Sequence, residues 1–180
     1  TANTFADVGG YANVRDLKIS LIGAYSYEQD KYLSFDEHHL ADFEPLLKHA
    51  GLIIGFAINR FDLPVLQKHY PFNLMALERI DILDEIELAV GFRVKLNTLA
   101  KANLGLEKTH ESGLEAITMY KEGRLAELRD YCLNDVKLTK ELYDLVKRQG
   151  YFTIPPKDGI GIPSKLKLDI REPILAATLF

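Results

Sequence analysis

The run Leu52-Ile53-Ile54-Gly55-Phe56-Ala57-Ile58-Asn59-Arg60-Phe61-Asp62-Leu63-Pro64-Val65-Leu66 constrains the fold more than any other stretch of the chain. Its first half is apolar, broken only by Gly55, and carries the β-branched pair Ile53 and Ile54. That composition predicts a strand covered on both faces. Asn59 then stands where a cap would open the next element, and the residues after it restart as a short helix. The run therefore delivers Asp62 to a sheet edge, among Phe61, Leu63 and Val65. An aspartate in apolar company needs a helix-cap role, an ion pair or a bound cation, and the run alone leaves all three open.

A length of 180 residues with 47% hydrophobic content fits one domain with an ample core. The formal net charge of −4 excludes wholesale neutralisation of phosphates by the surface, so a nucleic-acid contact has to be a local basic patch beside an acidic site. Cys132 is the single cysteine, which rules out an internal disulfide. Nothing resembles a signal peptide or an apolar span of membrane length, so the expectation is a soluble cytoplasmic protein with no membrane partner.

Residues 1–10 show neither strand nor helix periodicity and run into Gly9-Gly10. Leu17 to Tyr27 and Lys31 to Phe35, separated by Glu28-Gln29-Asp30, predict a hairpin. Leu40, Phe43, Leu46 and Leu47 predict a helix over about 36–50. Further helices are expected from Leu63 to His69, from Asp81 as a cap to Gly91, and from Leu96 to Asn103 with Gly105 closing. The polar stretch 106–112 reads as a loop able to meet a substrate. Helices at about 112–122 and 124–148, each ended by glycine, precede two strands, Tyr151 to Ile154 and Lys165 to Ile170. Alternation of strands and helices gives an α/β fold with a mixed sheet.

A second carboxylate interrupts an apolar face. In the helix from Arg124 to Lys147 the stripe runs Leu125, Leu128, Cys132, Leu138, Leu142, Leu145 and Val146, and Asp135 falls within it. Tyr131 lies one turn earlier on the same face, where its hydroxyl can reach whatever the carboxylate holds. The plainer reading is a core tyrosine at helical spacing, with Asp135 at the stripe's edge paired to a lysine or arginine.

Asn59-Arg60-Phe61-Asp62 after an apolar strand, with Tyr131-Cys132-Leu133-Asn134-Asp135 late in the chain, resembles two of the three motifs of the DEDD superfamily of 3′-to-5′ exonucleases, in its tyrosine branch. The exonuclease domain of family B DNA polymerases and its stand-alone bacterial relatives are the nearest likeness. Gly55 to Asn59, Leu96 to Gly105 and Lys121-Glu122-Gly123 also resemble that family's connecting segments. The resemblance implies a ribonuclease H-like fold, a mixed sheet flanked by helices. The family's first motif, Asp-x-Glu on the central strand, is absent here. Thr1-Ala2-Asn3-Thr4-Phe5 resembles the residues immediately past that motif in such proteins, so the expectation is an N-terminally truncated domain lacking its first central strand. Asp169-Ile170-Arg171-Glu172 is acidic but wrongly spaced and too late to replace it.

Phosphodiester hydrolysis needs charge stabilised on the attacking and leaving oxygens, which two divalent ions about 4 Å apart can supply. Mg²⁺ takes oxygen ligands and keeps several waters, so aspartate and glutamate are the expected protein donors. The resemblance implies Mg²⁺ or Mn²⁺ held by Asp62 and Asp135, with Asp135 on the ion that activates water and Asp62 on the second. It further implies that the Tyr131 hydroxyl orients the water, that Asn59 fixes the turn and that Phe61 packs near the terminal nucleotide of single-stranded DNA or RNA. Replication or repair proteins are the implied protein partners. Arg60, Lys95, Lys101, Lys108 and His110 are candidate phosphate contacts, or ordinary solvated charges. The competing function is a nuclease-fold module that binds nucleic acid or a protein partner without cleaving.

Overall fold

The hairpin forms where the alternating apolar pattern places it. A computed structural model describes residues 1–106 and 113–168, and in it Leu21–Ser26 (β1) pairs antiparallel with Lys31–Asp36 (β2), Leu21 opposite Asp36 and Tyr25 opposite Tyr32. One face of β1 lies on the long helix Leu125–Gln149, and the approach is close. A Cβ added at Gly23 would stand 2.9 Å from both Cys132 Sγ and Val136 Cγ2, so only glycine lets the strand and helix meet at this distance. From the same strand, Ile22 and Ala24 pack against a core of Leu17, Ile19, Phe43, Leu47, Leu63, Leu74 and their neighbours.

Ile53–Gly55 (β3) pairs in parallel with Arg79–Asp81 (β4), with Gly55 opposite Asp81. Ile53 packs on the core just described, whereas Ile54 packs on a second one built from Ile82, Ile86, Leu99, Leu138, Leu142 and Phe152. The expected strand covered on both faces is therefore present. It is shorter than the apolar run, which leaves the ladder after Gly55. A third ladder joins Tyr151–Ile154 (β5) to Ser164–Lys167 (β6), antiparallel. Both pairing senses occur, as a mixed sheet requires, but among the described residues they are spread over three two-stranded ladders.

Helices follow the 3.6-residue pattern. Leu40–His49 (α1) starts later than expected because the Asp36 carboxylate ends β2 by accepting from the His38 N–H at 2.9 Å and meeting His39 Nδ1 at 2.7 Å. Asp62–Leu66 (α2) runs into a 3₁₀ turn at Gln67–His69. Ile82–Val90 (α3) is capped as expected by Asp81, whose side chain accepts from the N–H groups of Leu83 and Asp84. Leu96–Leu104 (α4), Gly113–Lys121 (α5) and Leu125–Gln149 (α6) complete the set. Gly150, at φ 76°, closes α6 in the left-handed conformation that glycine adopts without a steric cost.

Leu128, Leu138, Leu142, Tyr143 and Val146 form the buried face of α6, while Leu125, expected in that stripe, is 56% exposed at the helix's start. The first sixteen residues, irregular in sequence, carry two 3₁₀ helices, Ala6–Val8 and Tyr11–Asp16, the second resting on α2. Residues 107–112 with Lys108 and His110, expected as part of a loop, and the Asp169 to Glu172 segment lie outside the described residues. No helix among those described is long and apolar enough to cross a membrane.

Candidate active site

After Gly55 the chain turns. Ala57 adopts φ 65°, a conformation that L-residues with a side chain enter at a cost, so something must hold it there. Asp81 does so. This aspartate is 3% exposed and sits at the end of β4, opposite Gly55. It accepts from the backbone N–H of Ala57 at 2.8 Å and of Asn59 at 2.9 Å, besides the two N–H groups at the start of α3. One carboxylate thus satisfies four backbone donors and ties the turn to the neighbouring helix. Gly55 permits the turn to fold back, since a Cβ there would lie 2.2 Å from Ile58 Cγ2.

Asn59 is not the helix cap that its position suggested. Its side chain donates to Asp84 Oδ2 at 2.8 Å and accepts from Arg79 Nε at 2.5 Å, while α2 starts only at Asp62 and has no side-chain cap. The turn uses Asn59 as a tie between β4 and α3. Arg60, a candidate phosphate contact, is held by acids instead, 2.9 Å from Glu87 Oε2 and 3.5 Å from Asp84 Oδ1.

Asp62 opens α2 at the far side of this turn. Its residue is solvent-exposed, yet enough protein rings the carboxyl that loss of hydration pushes its pKa up to about 6. Asp62 thus keeps solvent contact while neighbouring protein strips part of the hydration from its carboxyl. The nearby charges of Asp81 and Asp135 add to the rise, and the Thr1 amino group opposes it. Asp135 reaches this place from α6. Cys132, one turn earlier on that helix, has its thiol pushed up to about 11 by burial first and then by Asp135 and Asp62. The fold therefore brings Asp62 and Asp135 into mutual electrostatic range, beside Gly23 of β1 and the chain's first residue.

Tyr131 packs with Leu21, Tyr120, Met119 and Leu128 in a small cluster between β1, α5 and α6. Phe61 packs against the core under α2 and against the ring of Phe5. Sequence reasoning gave Asp81 only a cap role and missed its hold on the turn. Its spacing from the Asn59-to-Asp62 motif carries no regular period, so no sequence signal joined them.

Among the described residues, no three His, Cys, Asp or Glu side chains come together as a metal-holding group. Asp62 and Asp135 are hard oxygen donors whose mutual repulsion a divalent cation would relieve, so their chemistry fits half of a four-acid metal site.

A model of the RNase_H_2 family, in the RNase H superfamily, matches residues 9–147. The chain belongs to the RNase H superfamily. Comparison with curated proteins found no match. The matched span includes the turn with Asp81, the start of α2 with Asp62 and the stretch of α6 with Tyr131 and Asp135. The ribonuclease H-like α/β fold expected from the sequence is thereby met, and a nuclease-type activity accords with this superfamily.

Proposed function

We propose that the chain carries part of the active site of a metal-dependent 3′-to-5′ exonuclease that hydrolyses phosphodiester bonds at the 3′ end of single-stranded DNA or RNA. One observation carries this reading. Two carboxylates from separate elements, Asp62 at the start of α2 and Asp135 on α6, stand within each other's electrostatic reach, and loss of hydration first of all raises the Asp62 pKa to about 6. Carboxylates whose protonation is perturbed by desolvation and by a like charge are candidates for a functional site.

Asp62 and Asp135 would hold Mg²⁺ or Mn²⁺, which when bound stabilises negative charge at the scissile phosphate. Tyr131, one helical turn before Asp135, would place its hydroxyl toward the attacking water. Phe61, adjacent to Asp62 in sequence, would pack against the terminal nucleotide. Asp81 and Asn59 would keep the Asp62 turn from drifting, and a shift of about 1 Å in a reacting group can cost on the order of 10²-fold in rate. The remaining carboxylates would come from an Asp-x-Glu strand ahead of Thr1, whose amino group already faces Asp62 and Cys132.

The test is Mg²⁺- or Mn²⁺-dependent digestion of a 3′-labelled single strand by the 180-residue chain and by the same chain extended with an Asp-x-Glu strand. The expected result is little or no digestion by the first and strong digestion by the second. Strong digestion by the shorter chain would remove the claim that two acids are missing. No digestion by either would favour the second reading, a nuclease-fold module that binds nucleic acid or a protein without cutting. The grouping of only two carboxylates among the described residues is what speaks for that alternative.

A further inference from the structure

β1 stands between the two elements that carry the candidate carboxylates. Side chains along a strand alternate between its faces, so β1 presents two sets. Ile22 and Ala24 pack on the core that contains Leu63, Val65 and Leu66 of α2, the helix that Asp62 opens. Leu21, Gly23 and Tyr25 turn to α6. Leu21 packs with Tyr131, Gly23 lies against Cys132 and Val136, and Lys140 Nζ stands 4.8 Å from the centre of the Tyr25 ring.

Strand and helix advance in step. Cys132, Val136 and Lys140 lie at four-residue intervals on one helix face, each interval a rise of about 6 Å. Two residues of strand advance by roughly 6.6 Å, which keeps Leu21, Gly23 and Tyr25 beside successive turns of α6. Asp135 belongs to the turn that meets Gly23, since it lies between Cys132 and Val136. At Gly23 the strand is bare. A Cβ there would stand 2.9 Å from Cys132 Sγ and from Val136 Cγ2, and 3.4 Å from the Cys132 carbonyl oxygen. Valine is stiff at χ1 and the carbonyl is backbone, so space for one methyl group has to come from moving the helix. Opening the 2.9 Å contact to 3.4 Å, where ordinary contact begins, carries the turn with Asp135 outward by about 0.5 Å.

We propose that Gly23 is a positioning residue of the candidate site: its missing side chain sets the thickness of β1 between α2 and α6, and through it the separation of Asp62 from Asp135. The proposal rests on the nuclease reading for what that separation serves, and on packing alone for the separation itself. A small change matters because carboxylate oxygens hold Mg²⁺ at closely fixed distances, so two carboxylates serving one ion tolerate little drift. Leu21 and Tyr25 on either side fix the strand along the helix, and Gly23 fixes how near the two come. An ordinary packing glycine would protect stability alone; this one also protects the geometry of the site.

The experiment has a metal-free arm and a loaded arm. Crystal structures of the 180-residue chain and of its Gly23→Ala variant, both without metal, should show the Asp62 and Asp135 carboxyls about 0.5 Å farther apart in the variant, the shift that the Gly23 contact requires. In the chain extended with an Asp-x-Glu strand, Gly23→Ala should weaken Mn²⁺ binding, read by water-proton relaxation, and slow digestion of a 3′-labelled single strand, each roughly tenfold. Val136→Leu presses on the same point from the helix side and should act alike, which decides the matter if Gly23→Ala does not fold. Asn103→Ala, which cuts the ties of α4 to β5, should lower Tm and leave Mn²⁺ affinity and rate at the parent's values. An unchanged carboxyl separation, parental affinity and rate in a folded Gly23→Ala, or an equal loss in Asn103→Ala would each overturn the proposal. A separation that grows in a chain that, when extended, neither binds Mn²⁺ nor digests keeps the spacing role of Gly23 and loses the nuclease reading.

Discussion

The two carboxylates at the candidate site are presented by unlike means. Asp135 stands on a regular helix of 25 residues whose position is fixed by the apolar side chains Leu138, Leu142 and Val146 on its buried face. Asp62 stands after a turn that contains a left-handed alanine and is held by hydrogen bonds to one buried aspartate. The first is supported by packing spread over many residues, each contributing a little. The second leans on two polar side chains, Asp81 and Asn59, together with the buried Leu63, Val65 and Leu66 of a helix of only five residues. Polar ties are therefore concentrated on the Asp62 side, so damage to them should show in folding as well as in chemistry, whereas damage at Asp135 should show mainly in chemistry.

The largest expected effects test whether both sides serve one reaction. In the chain extended with an Asp-x-Glu strand, Asp62→Asn or Asp135→Asn should lower exonuclease turnover by orders of magnitude, because each removes a donor to the ion that stabilises the transition state. Tyr131→Phe should cost less, on the order of 10²-fold, since only the orientation of water is affected. Rates measured on folded samples check this. An active but destabilised Asp135→Asn would make Asp135 the partner in a structural ion pair.

Next in size is Asp81→Ala, which strips four backbone N–H groups of their acceptor at a site 3% exposed. Such a loss costs about 3 kcal/mol. For a chain of this length that lowers Tm by roughly 6–12 °C. Asp135→Asn should move Tm by far less. Equal losses of Tm in the two variants would erase the contrast between clamp and helix.

A pH series sharpens the same contrast. Asp62 has a folded pKa of about 6, above the ordinary aspartate value of 3.8 that the unfolded chain retains. Between these values the folded state binds more protons than the unfolded state, so this group's contribution to stability falls as pH rises from about 4 to 6 and is lowest above that. The Tm of Asp62→Asn relative to the parent should therefore climb across that window and level off near neutrality. A difference that stays flat with pH would mean that the Asp62 carboxyl is not deprived of water. The smallest effect is expected at Ala57, where glycine relieves the φ of 65° and should raise stability by up to about 1 kcal/mol, read from denaturant unfolding.

The same contrast governs what the sequence disclosed. Helical periodicity exposes Asp135 as a polar interruption of a buried stripe, and it places Tyr131 beside it. The hairpin of β1 and β2 and the cap at Asp81 were also legible, because alternation and capping are local signals. The hold of Asp81 on Ala57 and Asn59 was not, since a contact between a strand end and a turn on another strand leaves no periodic trace. For the same reason the strand was expected to run toward Asn59, when close packing of Gly55 on Ile58 turns the chain earlier.

The central claim is that Asp62 and Asp135 are two ligands of one divalent-ion site. Water-proton relaxation in the presence of Mn²⁺, measured above pH 6 on the chain extended with an Asp-x-Glu strand, tests it without any need for turnover. The account predicts that the chain binds Mn²⁺ and that Asp62→Asn and Asp135→Asn, both still folded, each abolish the enhancement. Enhancement that survives in either variant at the parent's Mn²⁺ affinity would contradict it.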